Sequence, residues 1–317
     1  MAGVANISAE EVAELLSIDE LISVIERGLA NYSEGEEGGM LQPYRSIVQV
    51  VNPGPEFGFF GSMPFYNSKE NILACKVGSF YPFNLKHDKP VHNSSILLYD
   101  PVYGGLQAIV DGVVITERRT PAASAVAAKY LVEDRSKPVK LALLGAGTQA
   151  RSHFQALKCI FNISKVCVWS RTMESAIKCA EEINGEACNT AEKAVENADI
   201  IVTVTLSQTP VLQKTWVKLG AIILAVGGSG PDSQEVDPEL VKSSVVYTDS
   251  KKIALMECGD IIKADAEIYA EIGEVVNGTK PVKRGPTTLF KMAGMQMEDA
   301  VSAKLVFDTY RAKKEPS

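Results

Sequence analysis

From residue 139 to residue 249 the chain repeats one pattern. Short, continuous apolar runs, VKLALLG (139–145), KVCVWS (165–170), DIIVTVT (199–205), AIILAVG (221–227) and SVVYTD (244–249), alternate with longer helical or loop segments. A strand that is apolar on both faces leaves no face for water, so both sides of its sheet must be covered. Strands separated by helix-length segments cross over and run parallel. The pattern predicts a Rossmann-type, doubly wound parallel sheet of the α/β class.

The first run leads directly into Gly145-Ala146-Gly147-Thr148-Gln149-Ala150, a GxGxxA match, and a helix is predicted to leave it. Such a turn is common by itself, but its place between a strand and a helix reads as a dinucleotide loop. Gly145 permits the tight turn, and Gly147 lets the backbone approach a pyrophosphate. Ala150 allows helix–strand contact, and the helix N-terminus, with Thr148 and Gln149, meets the negative charge. The end of the second strand selects the dinucleotide, because Asp or Glu there binds a ribose 2′-hydroxyl. This chain has Ser170-Arg171-Thr172 instead. A guanidinium and two hydroxyls suit a 2′-phosphate, and Arg171 can also stack on adenine. The expected cofactor is NADP(H); the alternative for Arg171 is a solvated charge opening the next helix. Thr203, Thr205 and Val226 close later strands at the carboxyl edge, where ligands sit in such sheets, and are candidate cofactor contacts.

At 317 residues the chain has a two-domain length. Residues 8–32 read as one helix, with Ser8 and Glu11 spaced as a capping box. Residues 40–115 carry short apolar or alternating runs punctuated by Pro, Gly, Asn and Asp, which predicts a mostly antiparallel sheet. TPAASAVAAKYL (120–131) and the amphipathic stretch from Glu298 to Arg311 read as helices, the latter returning to the first domain. The expected division is 1–125 with about 295–317, and 126–294.

A net charge of −7 argues against a nucleic-acid partner. No apolar run reaches the roughly 18–20 residues of a membrane helix. The N-terminus, MAGVANISAEEVAELL, has neither the basic nor the apolar region of a secretory leader, so the expected location is cytoplasmic. Six cysteines without a CxxC pair, and only three histidines, point to buried free thiols and no metal.

Three cations are out of place in the first domain. Arg45 lies in QPYRSIVQVV, Lys76 in ILACKVGSF, and Arg119 in ITERRTPAAS. A charge in a buried strand costs several kcal/mol unless paired. Either the three converge on an anionic substrate, or each sits at a sheet edge and reaches water.

Many ordered stretches resemble the ornithine cyclodeaminase/mu-crystallin family along nearly the whole chain. They include QPYRSIVQV (42–50), ACKVGSFY (74–81), VHNSSILLYDP (91–101), LGAGTQARSHFQAL (144–157), MECGDII (256–262) and TTLFKMAGMQMEDAVSAKL (287–305). The resemblance implies a dinucleotide domain joined to an N-terminal α+β domain for substrate and dimerisation, completed by C-terminal residues, in a homodimer. It implies that Arg45 and Arg119 hold a substrate carboxylate and that Lys76 stands beside the reacting imine. It places His92 and Ser95 over the nicotinamide, Arg119 on both ligands, Glu257 near the substrate, and Lys291 near the cofactor.

One departure narrows the activity. Cyclodeaminases and related alanine dehydrogenases have an Asp after the strand-five glycines, whereas this chain has Gly227-Gly228-Ser229. A serine is a poor general base at neutral pH. That disfavours cyclodeamination or amino-acid dehydrogenation and agrees with the mu-crystallin-like members. The resemblance therefore implies an NADPH-dependent reductase of small cyclic ketimine carboxylates, with Ser229 in the substrate set. Lys76, its pKa lowered by Arg45 and Arg119, would hold or relay the imine proton. Thyroid hormone is a second implied ligand of the same pocket, with Phe57, Phe59, Phe60 or Phe65 offering apolar surface. A hormone-binding or lens protein with little turnover is the alternative.

Overall fold

The Ser8–Glu11 pattern forms a capping box: the Ser8 hydroxyl accepts from the Glu11 amide at 3.3 Å, and the Glu11 carboxylate accepts from the Ser8 amide at 3.0 Å. Two helices follow, Ala9–Leu15 and Ile18–Tyr32, where one was expected. The break is at Leu16, whose backbone is extended and whose carbonyl accepts from the Arg118 guanidinium at 2.7 Å. The structure is a computed structural model describing residues 3–51, 57–228 and 230–314. The chain divides into two compact units, 1–119 with 295–317, and 120–294. This boundary and the expected one at 125/126 both fall inside a single helix, Gly112–Leu131.

In the first unit the strands are β1 (Ala5–Ile7), β2 (Met40–Leu41), β3 (Ser46–Val51), β4 (Phe57–Asn67), β5 (Ile72–Phe80), β6 (His92–Tyr99) and β7 (Leu106–Asp111). They form one sheet in the order β1-β7-β6-β5-β4-β2, with β3 also on β4. The pairings from β2 to β7 are antiparallel, as hairpin-length connections require, and only β1 runs parallel to its neighbour among the described strands. The C-terminal helix, Gln296–Lys314, packs on this sheet and against the helix Ile18–Tyr32. Its first turns, Gln296 to Ala303, are buried all round rather than amphipathic.

The second unit holds β8 (Val139–Leu144), β9 (Ile163–Trp169), β10 (Glu186–Ala187), β11 (Ile200–Thr203), β12 (Ile222–Ala225), β13 (Val245–Thr248), β14 (Ile268–Glu271) and β15 (Thr288–Lys291). They form a parallel sheet in the order β10-β9-β8-β11-β12-β15-β13-β14, with helices between consecutive strands. Strand interiors such as Leu141–Leu144 and Ile200–Thr203 are wholly buried, so the continuous apolar runs do cover both faces of a doubly wound sheet. Among the described residues no helix is long and apolar enough to cross a membrane. All six cysteines are free; four are buried, but Cys159 is exposed and Cys75 half-buried, which corrects the expectation of wholly buried thiols.

Candidate active site

Two clusters carry chemistry, one in each unit. In the first, Lys76 projects from the middle of β5 and is only 6% exposed, and Arg119 is 8% exposed. Neither reaches for water. The Lys76 ammonium donates to Asp299 Oδ1 at 3.1 Å and to Thr116 Oγ1 at 2.6 Å. Arg119 donates through Nε to the same Asp299 oxygen at 3.1 Å and through Nη1 to Glu298 Oε2 at 2.6 Å. Glu298 and Asp299 are both closed from solvent. Two buried cations and two buried carboxylates thus balance, which is what makes burial of four charges affordable.

Arg45 is half-buried just before β3 and is close enough for its charge to disfavour a second proton-bearing cation at Lys76. Its segment is tied to the C-terminal helix: Gln42 accepts from the Met297 amide at 3.0 Å, and Gln296 donates to the Pro43 carbonyl at 2.6 Å. Burial is the main cause of a lowered Lys76 pKa; Asp299 opposes it, and Arg119 and Arg45 add to it. The expected depression therefore exists, but its leading cause is desolvation rather than the arginines. Burial alone would raise the Asp299 carboxyl, but the charges of Arg119 and Lys76 and the hydrogen bonds they donate outweigh it and hold the group below the usual carboxylate range. His92 opens β6, opposite Phe80. Burial, then the Lys76 cation, pushes its imidazole down to about 4. Ser95, two pairs further along β6 than Asn93, lies opposite Val77 and Asp111 and is half-buried.

In the second unit the glycine turn has the form a phosphate needs. Gly145 sits at φ 121°, in the left-handed region, and a Cβ there would lie 2.6 Å from the Val204 carbonyl oxygen. Its amide donates to Trp169 at 2.8 Å, which holds the turn to the end of β9. Gly147 is the N-cap of the helix Thr148–Ile160 and is exposed, without a side-chain cap. Nothing lies within 4 Å of where its Cβ would be, so the cradle above the helix N-terminus is open. Thr148 is exposed and Gln149 half-buried on the first turn. Arg151 steadies the loop by donating to the Ala146 carbonyl at 2.8 Å while pairing with Glu182. Ser170, Arg171 and Thr172 follow β9 directly, and Arg171 is exposed with no ion pair among the described residues. The glycine turn and the open helix N-terminus fit the pyrophosphate of a dinucleotide.

Other expected contacts are placed differently. Thr203 is fully buried, its hydroxyl donating to Glu235 Oε2 at 2.7 Å; it is a framework residue rather than a ligand contact. Thr205, half-buried, donates to Glu235 Oε1 through its amide at 2.5 Å and its hydroxyl at 2.6 Å. Val226 is half-buried and its amide is spent on the Thr203 carbonyl at 3.0 Å. Lys291 is likewise closed from solvent, donating to the Gly227 carbonyl at 2.6 Å and to Asp260 at 2.9 Å, so it supports the glycine segment and has no surface to give a cofactor. Asp260 also caps the amides of Glu235 and Val236 at 2.7 and 2.9 Å. In Glu257-Cys258-Gly259-Asp260 the structural carboxylate is therefore Asp260, while Glu257, half-buried, receives the Gly230 amide on its carbonyl at 2.9 Å. Ser229 lies outside the described residues. Phe65 is a core residue, 2% exposed, and cannot offer surface to an aromatic ligand.

The residues that sequence reading missed are Glu298 and Asp299. Their signal was indirect: cations stranded in buried strands require buried acids somewhere in the chain.

A doubly wound sheet with this turn at its carboxyl edge defines a dinucleotide-binding α/β protein. More narrowly, the chain belongs to the ornithine cyclodeaminase/mu-crystallin family, whose model matches residues 5–314. It is 44% identical over 313 residues to a ketimine reductase mu-crystallin of Rattus norvegicus, with 98% of each chain covered. Among solved structures it is similar to the Delta(1)-pyrroline-2-carboxylate reductase of Thermococcus litoralis in complex with NADH and L-proline, at 34% identity, a TM-score of 0.89 and 98% of each chain covered. It is also similar to an archaeal alanine dehydrogenase dimer with bound NAD, at 28% identity and a TM-score of 0.88, covering 99% of this chain and 98% of that one.

Proposed function

We propose that the chain reduces small cyclic ketimine carboxylates, of the piperideine- and pyrroline-2-carboxylate type, with NADPH. The protein is an oxidoreductase acting on C=N bonds, in line with its ketimine and pyrroline-2-carboxylate reductase relatives. The observation that carries the finer reading is the buried cluster in which Lys76 and Arg119 share one oxygen of Asp299, with Arg45 nearby. Such a cluster can hold a carboxylate and keep a proton beside it in a single desolvated place.

The roles follow from charge and burial. Lys76 and Arg119 are paired with Asp299 and Glu298, and Arg45 lies near enough to Lys76 to join Arg119 in holding a substrate carboxylate. Arg119 completes the grip. An imine accepts hydride well only when its nitrogen is protonated, and Lys76, with its lowered pKa, is suited to give or keep that proton. Bound NADPH supplies the hydride to the imine carbon. His92 is neutral at pH 7 and adds no charge to the reacting centre. Arg171, with Ser170 and Thr172, selects the 2′-phosphate over the NADH and NAD carried by the related structures. Ser229, where cyclodeaminases have an acid, provides no general base.

A second reading, thyroid-hormone binding, is supported by the edge-to-face group of Phe57, Phe59 and Phe83 in the same unit as the cations. The deciding experiment is NADPH oxidation with Δ1-piperideine-2-carboxylate, run with and without an iodothyronine. Turnover inhibited competitively supports one pocket with two ligands; NADPH binding without turnover of any cyclic ketimine carboxylate overturns the reductase reading.

A further inference from the structure

Two acceptors hold Lys76, and neither can act as a donor to it. The Thr116 hydroxyl spends its own proton on the Gly112 carbonyl at 2.7 Å, so toward Lys76 it only accepts. Asp299, ion-paired to Lys76 and Arg119, is acceptor-only as well. A neutral amine has two N–H bonds and a lone pair; an ammonium has three N–H bonds. Thr116 and Asp299 take two N–H bonds in either state. What changes on proton transfer is therefore the third corner of the nitrogen, which meets no protein acceptor among the described residues.

From this arrangement we infer that Asp299 is a positioning residue: with Thr116 it fixes two corners of the Lys76 nitrogen and aims the third, proton-bearing corner at the substrate imine. The inference rests on the reductase reading proposed above. In the step it describes, the N–H bond of Lys76 breaks as one forms to the imine nitrogen. The hydride of NADPH goes to the imine carbon, leaving an amine, NADP⁺ and a neutral Lys76 that water reprotonates. Because Asp299 Oδ1 also receives Arg119 Nε, the oxygen that aims the proton donor also registers the carboxylate-binding guanidinium. The groups acting on Lys76 are Asp299 from the C-terminal helix, Arg119 with its partner Glu298, Arg45 ahead of β3, and neutral His92 on β6, itself biased by Asp111.

The test uses Asp299→Asn, which keeps the shape and removes the charge, and Thr116→Val, which removes the other acceptor without touching an ion pair. In full-length protein with 15N-lysine, the Lys76 ζ-nitrogen, assigned by its loss in Lys76→Arg, is titrated without substrate or dinucleotide. The expected midpoint falls by about one pH unit or more in Asp299→Asn. The high-pH limb of kcat for Δ1-piperideine-2-carboxylate moves by the same amount, and kcat at pH 8 falls about tenfold or more. In Thr116→Val, kcat falls more than KM rises. A Lys76 midpoint and a kcat profile that stay put in both variants overturn the inference, even if stability drops. Absence of turnover in the unsubstituted enzyme sinks the reductase reading alone, and the Lys76 titration still decides whether Asp299 governs that nitrogen.

Discussion

At the residue scale, the sharpest test of cofactor choice is Arg171. It is exposed, follows β9 directly, and has no ion pair among the described residues, so its charge is available to a ligand. Arg171→Asp offers the ribose hydroxyls an acceptor and repels a phosphate. The expected result is a reversal of the NADPH/NADH ratio of kcat/KM, by about 100-fold or more, since each charge-assisted hydrogen bond contributes about 1.5–3 kcal/mol. An unchanged ratio would count against a 2′-phosphate site. Lys76→Met tests the proton: turnover should be lost while NADPH still binds with its fluorescence change. Retained turnover would remove Lys76 from the chemistry. The three stranded cations were legible in the sequence because charge inside an apolar strand demands an explanation. Their partners were not. Asp299 is 223 positions from Lys76, and helical periodicity assigns Glu298 and Asp299 to an outer face that the fold in fact buries.

At the scale of elements, the two glycines of the turn separate folding from binding. Gly145→Ala puts a Cβ 2.6 Å from a backbone oxygen at φ 121°, so it should cost stability, about 1–3 kcal/mol, as well as NADPH affinity. Gly147→Ala meets nothing within 4 Å and should leave the unfolding midpoint in urea unchanged while weakening NADPH binding about tenfold. Equal binding by Gly147→Ala would deny that the cradle receives phosphate. The helix that follows is pinned by His153, which is fully buried with Nδ1 2.7 Å from the Gln149 carbonyl and Nε2 3.0 Å from the Ser124 hydroxyl. Burial pushes its imidazole down to about 4. Below the ordinary value of 6.5 the unfolded chain takes up a proton that the folded one refuses, so stability falls as pH drops from 6.5 toward 4. The loss is about 2 kcal/mol by pH 5, and His153→Gln should flatten that part of the urea-midpoint profile. The five apolar runs of this unit were readable as strands because no other element hides both faces in so few residues. Strand β15 was not: Thr288–Lys291 has few apolar residues, ends on a lysine, and enters the sheet between β12 and β13, an order that no local pattern encodes.

At the scale of the molecule, the open side of the first sheet is the remaining question of assembly. Strand β3 leaves Ile47, Val48 and Val51 exposed at 54%, 58% and 76%, and Leu41, Tyr44 and Phe60 extend that apolar surface. An uncovered apolar strand of this kind is a template for another chain unless charge or a bulge protects it, and β3 carries neither. Two copies related by a twofold axis would cover it with the same surface from each side. The related archaeal alanine dehydrogenase is a dimer. We therefore expect a homodimer in sedimentation equilibrium at micromolar concentration. Val48→Lys with Ile47→Asp should shift it to monomer with little change in the helical circular dichroism, because both side chains face outward and support no core. A monomer before substitution, or a dimer indifferent to both changes, would move the contact elsewhere. NADPH binding in the monomeric variant then separates the dinucleotide turn, which is built wholly from residues of the second unit, from whatever the dimer adds to turnover.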